Sequence, residues 1–265
     1  AQPSPGARRA VKPRPAVPPA CDRRPAIDRA GRRRHAAGMP KLQAAQVAVT
    51  PFQQNCALIW DAEAGIGSVI DPGGDVPRIL AALDRAGFVA APGGAGHRVE
   101  QILLTHGHLD HAGGAAALKR ALDARQGAPV PVVGPDARDA FLLSGIAAQA
   151  AQYGLDGMED AAPDRWLAEG ETVAIAGQDF AVLHCPGHTP GHVVFASVAL
   201  GFAVVGDVIF RGSVGRTDFP YGDHEALIAA ITGKLLPLGD GMRFLCGHGP
   251  GSTFGEERRS NPFLR

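Results

Sequence analysis

Within Thr105-His106-Gly107-His108-Leu109-Asp110-His111, four side chains of the kind that bind metal ions fall inside six residues. Imidazole suits zinc, iron and manganese, and an added carboxylate admits the harder cations of that range. Four such groups exceed what one four-coordinate ion needs if it is also to hold water, so the stretch implies two ions on one loop. Three more candidate ligands follow at similar places. Gly187-His188-Thr189-Pro190-Gly191-His192 comes after the apolar run 180–183, Gly206-Asp207 ends the run 202–205, and Gly247-His248-Gly249-Pro250 ends the run 242–246. A lone His or Asp after a strand is more often a hydrogen-bonded turn residue. Four such places in order are hard to read as coincidence.

Elements of definite kind must hold these loops. Gln101-Ile102-Leu103-Leu104 reads as a buried strand, and the Ala/Leu/Lys-rich stretch after Gly113-Gly114 reads as a helix to Arg125. Upstream, 47–49, 57–60 and 67–70 read as short strands between Pro/Asn and Asp/Gly turns. Apolar spacing predicts a helix over 76–86, with Asp75 as its cap and Gly87 as its stop. A strand at 130–133 and a largely helical excursion over 137–152 follow. In the second half, 172–175 with 180–183 and 192–197 with 202–205 read as hairpins around Gly177 and Gly201. Asp223 reads as the cap of a helix over 224–236, and 243–246 as a last strand. The pattern by itself establishes a mixed α/β class.

His-x-His-x-Asp-His followed by a distal His, Asp and His resembles the metallo-β-lactamase fold superfamily, over about Met39 to the C-terminus. Within it the chain is most similar to the glyoxalase II, or hydroxyacylglutathione hydrolase, branch, in the short form without a helical C-terminal domain. The stretches that carry this are Pro51-Phe52-Gln53-Gln54-Asn55-Cys56, Ile70-Asp71-Pro72-Gly73-Gly74-Asp75, 212–218 and 255–263. The resemblance implies an αββα sandwich of two mixed β-sheets flanked by helices. It implies one metal site of His106, His108 and His188, a second of Asp110, His111 and His248, and Asp207 bridging both. Two divalent ions are expected, zinc foremost, with iron and manganese also suited.

The implied activity is thioester hydrolysis, with an S-acylglutathione such as S-lactoylglutathione as substrate and a hydroxide formed between the metals as nucleophile. Asp110 would orient that nucleophile and accept its proton. Arg216 matches a substrate-binding basic position of the branch, while Asp218 stands where the branch has an aromatic residue. A surface ion pair with Asp218 or Asp223 is the plainer role for Arg216. Alternative readings are a persulfide dioxygenase with one iron, or another ester or lactone hydrolase of the same fold. His192 reads either as a support for a ligand or as turn packing; His97, His184 and His224 read as non-ligands.

Composition narrows the class further. A chain of 265 residues with 45% hydrophobic and 20% charged residues suits a globular protein with a sizeable core. No apolar stretch approaches the ~20 residues of a membrane span. Residues 1–38 carry ten Arg/Lys against Asp22 and Asp28, a net of +8, which leaves −8 for the remainder of a neutral chain. That basic, proline-rich segment cannot bury enough surface to offset its ordering entropy, so it reads as a disordered extension, 1–38, ahead of the domain at 39–265. The cysteines, Cys21, Cys56, Cys185 and Cys246, show no paired spacing. Reduced thiols suit a cytoplasmic location. The expected partner is a small-molecule thioester, with no nucleic acid and no membrane.

Overall fold

The computed structural model describes residues 42–265. The basic extension, His35, Cys21 and the Met39 boundary therefore lie outside the described residues.

Chain order is β1 (Leu42–Val49), β2 (Gln54–Asp61), β3 (Ile66–Ile70), α1 (Val76–Arg85), β4 (Arg98–Leu103), α2 (Leu109–Ala112), α3 (Ala115–Gln126) and β5 (Val132–Val133). Then come α4 (Ala140–Leu143), α5 (Ile146–Gln152), β6 (Thr172–Ile175), β7 (Gln178–His184), β8 (Val193–Ser197) and β9 (Phe202–Val204). A small ribbon, β10 (Ile209–Phe210) and β11 (Ser213–Val214), precedes α6 (His224–Ala230), β12 (Arg243–Leu245), β13 (Ser252–Thr253) and α7 (Phe254–Ser260).

One sheet has the order β1-β2-β3-β4-β5 and the other β13-β12-β9-β8-β7-β6. In the first, β3, β4 and β5 run parallel; in the second, β12 and β9 do. Successive side chains of a strand point to opposite faces, and β2 and β8 use both. Ala57 and Ile59 face the layer between the sheets with Phe180, Val182, Val193 and Phe195. Leu58 and Trp60 face the helix side with Ile79, Leu83, Leu118 and Leu122. On the far side Val194 and Ala196 meet Leu227, Ile231 and Leu235. Helix, sheet, sheet and helix thus form four layers, the expected αββα sandwich, and burial on both faces explains why the strands read as unbroken apolar runs.

Several boundaries differ from the sequence reading. β1 begins at Leu42 because it is an edge strand whose polar residues face outward. Asp75 holds the N-cap position of α1, as expected, but its side chain does not cap the helix. It sits in the left-handed region (φ 48°), makes no side-chain cap bond, and accepts instead from the Thr50 N–H at 2.8 Å. The helix after Asp223 starts as expected, with the Asp223 carboxylate accepting from the Ala226 N–H, but it does not run uniformly to residue 236. From Ile231 it loosens into a π turn and then a 3₁₀ turn containing Pro237, which has no N–H to continue an α-helical ladder.

Candidate metal centre

The sandwich sends its chemistry to one edge. Asp71 and Thr105 follow the carboxyl ends of the adjacent parallel strands β3 and β4, and Asp207 and His248 follow those of β9 and β12. Ligand loops in α/β sheets gather at such ends. After Thr105 the chain stays extended through His106 and His108, then makes the single turn α2, pinned by the buried Leu109. That change from extended chain to helix turns His106 and His108 one way and Asp110 and His111 another.

Donor atoms of His106, His108 and His188 all lie within 4.8 Å of one another, and so do those of Asp110, His111 and His248. Asp207 stands between the triads. Its Oδ1 is 3.3 Å from His111 Nε2, and its Oδ2 is 3.5 Å from His248 Nε2 and 3.6 Å from His188 Nε2. Every residue expected to ligate is therefore brought together. A further overlapping group adds Asp71 to His106 and His111.

Protonation follows from burial and neighbours. Burial and the surrounding imidazoles push His106 well below its usual value, and burial with His188 pushes His108 down to about 3. Burial alone would lower His111, but the Asp207 and Asp110 carboxylates outweigh it and hold that ring well above normal. Burial would raise Asp207, yet His111, His188 and His248 keep it far below the carboxylate range. His111 Nε2, His188 Nε2 and Asp207 Oδ1 are buried without a hydrogen-bond partner. Leaving buried polar atoms unsatisfied costs ~1–3 kcal/mol each. Inward-facing ligand atoms at this density fit a pair of cations: two candidate metal-binding sites are present, with the Asp207 carboxylate between them.

The outer nitrogens are fixed from behind. His111 Nδ1 lies 3.0 Å from Asp71 Oδ2, His188 Nδ1 donates to Arg216 O at 2.8 Å, and His248 Nδ1 donates to Phe52 O at 3.2 Å. Such partners orient ligating imidazoles and raise their basicity. His192 is fully buried and stacks on His106, and its Nε2 accepts the Asp207 N–H at 3.0 Å, so it supports the backbone of Asp207. His97, His184 and His224 belong to neither triad.

Sequence reasoning missed two buried acids. Asp71 takes the Thr105 N–H and hydroxyl, both at 2.7 Å, besides His111. Its place after a strand, before Pro72-Gly73-Gly74, is the signal that marked Asp207 and could have marked it too. Asp139 lies in a 3₁₀ turn, where no pattern points to it. It accepts from Gly107 N (2.9 Å), Thr189 Oγ1 (2.7 Å) and Gly191 N (2.5 Å), which joins the His106–His108 loop to the His188 loop.

The centre forms the floor of a cavity of about 420 Å³, walled by Phe52, Tyr153, Phe210, Phe219 and Arg216. Arg216 reaches the wall as expected. Its guanidinium is paired with Asp218 through two 2.7 Å bonds and lies 4.4 Å over the Phe219 ring. An aromatic side chain thus does stand against His108: Phe219, one residue past Asp218, with Tyr221 beside it.

Comparison with known proteins agrees with this geometry. The family model of the metallo-β-lactamase superfamily matches residues 49–248. The chain belongs to that superfamily. It is 44% identical over 219 residues to the hydroxyacylglutathione hydrolase GloC of Haemophilus influenzae, covering 82% of this chain and 96% of that protein. Among solved structures it is similar to TTHA1623 in a di-iron-bound form, with a TM-score of 0.70 and 38% identity over 83% of this chain and all of that one. It is also similar to the B3 metallo-β-lactamase BLEG-1, with a TM-score of 0.72 and 31% identity over 84% of this chain and 99% of the other. These matches support the glyoxalase II-like branch.

Proposed function

We propose that this protein is a metal-dependent hydrolase that cleaves the thioester of an S-acylglutathione, S-lactoylglutathione being the first substrate to try. The observation that carries this reading is the pair of triads joined by Asp207 at the floor of an open, aromatic-walled cavity. The 44% identity to a hydroxyacylglutathione hydrolase supports the substrate class.

His106, His108 and His188 would hold one cation, Asp110, His111 and His248 the other, and the Asp207 carboxylate would be shared between them. Bound there, two divalent cations supply Lewis acidity and bring the pKa of water down towards ~7. Zinc is our assignment. Iron suits the same donors, and a similar structure was solved in a di-iron-bound form. Asp110 Oδ2, 3.3 Å from His248 Nε2, orients the attacking water and takes its proton. The ordinary thiol pKa of ~8.5 lets a thiolate leave without a dedicated acid. Arg216 would receive a substrate carboxylate in exchange for Asp218, since a solvent-exposed pair of this kind is worth little and is readily traded.

Among the described residues no helix is long and apolar enough to cross a membrane. Cys56, Cys185 and Cys246 are free and buried, which supports a reducing, cytoplasmic location. The deciding experiment loads purified protein with zinc, measures metal per chain, and follows thiol release from S-lactoylglutathione. Two ions and steady release support the proposal. One iron with oxygen uptake, or opening of lactones with no thioester cleaved, would refute it.

A further inference from the structure

Four of the five converging histidines turn Nε2 inward and present Nδ1 to a partner behind them. His108 is reversed. Its Nδ1 faces His106 Nε2 at 3.1 Å, and its Nε2 faces the Tyr221 hydroxyl at 2.9 Å.

The proton on each ring can be traced. Thr105 Oγ1 gives its hydrogen to Asp71 Oδ2, so towards His106 Nδ1, 3.0 Å away, it can only accept. His106 therefore carries its proton on Nδ1 and aims the Nε2 lone pair at His108 Nδ1. Two lone pairs at 3.1 Å would repel, so in the chain without metal His108 must be protonated on Nδ1. Its Nε2 is then an acceptor. A cation can bind Nδ1 only if the proton sits on Nε2, which is then a donor. A carbonyl, the partner of His188 and His248, could serve only the second state. A hydroxyl, with one hydrogen and two lone pairs, serves both.

We propose that Tyr221 is a positioning residue for His108, its hydroxyl donating to Nε2 in the metal-free chain and accepting from Nε2 once a cation takes Nδ1. The ring keeps one proton throughout; solvent removes it from Nδ1 and returns it at Nε2. The inference rests on reading His106, His108 and His188 as a metal triad. Tyr221 is placed independently of its hydroxyl, stacking on Phe219 with centroids 5.2 Å apart and meeting Phe141 edge-on at 5.4 Å. Tyr221→Phe therefore removes the hydrogen bond and leaves the packing.

The test uses the full chain with ¹⁵N-labelled histidine, recording ring nitrogen–proton correlations before and after zinc, together with zinc titration against a chromophoric chelator. His108 should be an Nδ1–H ring without metal and an Nε2–H ring with it. Tyr221→Phe should keep the parent's fold by circular dichroism yet hold one of two zinc equivalents about 10–100-fold more weakly. Should that variant not fold, the parent's spectra decide alone. His108 protonated on Nε2 in both states, or a Tyr221→Phe chain that binds both equivalents as the parent does, would overturn the inference while leaving the metal centre intact. A parent that takes up no zinc would overturn the metal triad itself.

Discussion

Asp207 touches both triads, and its backbone N–H is held by His192. Asp207→Ala removes the anion that offsets repulsion between two neighbouring cations. Metal analysis should give fewer than two ions per chain, and thiol release should fall by more than ~100-fold, beyond what loss of a supporting residue costs. Gly247 makes a sharper point about space. A methyl group there would overlap Asp207 Oδ1 and crowd the His111 ring. Gly247→Ala should leave the fold intact by circular dichroism and lower metal content, whereas unchanged stoichiometry would show that the loop has room. His106 to His111 were legible because they are contiguous in sequence. Asp71 and Tyr221 were not singled out, because each acts through a hydrogen bond to a residue tens of positions away. Asp71 at least carried the after-strand position that marked Asp207, whereas nothing in residue type or spacing reports the bond from Tyr221 to His108. His192 stood between two readings until its nitrogen was found on the Asp207 amide.

Elements matter here through how they are fastened. The turn before α4 is tied to two ligand loops by Asp139, a fully buried acid. Burial outweighs its three donors and pushes its carboxyl up to about 6. The sign follows from linkage. Below about pH 4 the carboxyl is protonated whether the chain is folded or not, and its contribution is complete. As pH rises the unfolded chain ionises first, so stability falls until the folded group titrates near 6 and is level above that. Unfolding free energy of the parent relative to Asp139→Asn should therefore drop by on the order of 3 kcal/mol between those values. A flat difference would mean that Asp139 titrates as an ordinary surface acid. Strand positions were readable because both-face burial leaves apolar runs, and the hairpins around Gly177 and Gly201 form as expected. The β10–β11 ribbon was not, since two-residue strands carry no periodicity. Asp75 looked like a cap by residue type, but Thr50 from a distant turn claims its carboxylate.

At the scale of the molecule, the centre belongs to neither sheet alone. β4 and its following turn supply His106, His108, Asp110 and His111, while β7, β9 and β12 lead to His188, Asp207 and His248. Ions bound only by the folded chain add RT ln(1 + [L]/Kd), ~2.7 kcal/mol per site at a hundredfold excess over Kd. Chelation should therefore lower the unfolding temperature, and restored zinc should raise it in a concentration-dependent way. A chelator-insensitive transition would show that the centre contributes nothing to stability. The two-sheet architecture came from the resemblance rather than from periodicity, because an unbroken apolar run shows that a strand has two buried faces and not which layer covers each. Asn55, at the start of β2, ties the first sheet to the His248 loop. Its N–H donates to Gly247 O at 2.7 Å, and its side chain donates to Cys246 O and Gly249 O. This stitch bears on how the protein is made: during synthesis the first four donors leave the ribosome long before His248 exists. A nascent chain can offer a cation only a partial grip, and secure capture must wait until the last donor loop closes over Asn55.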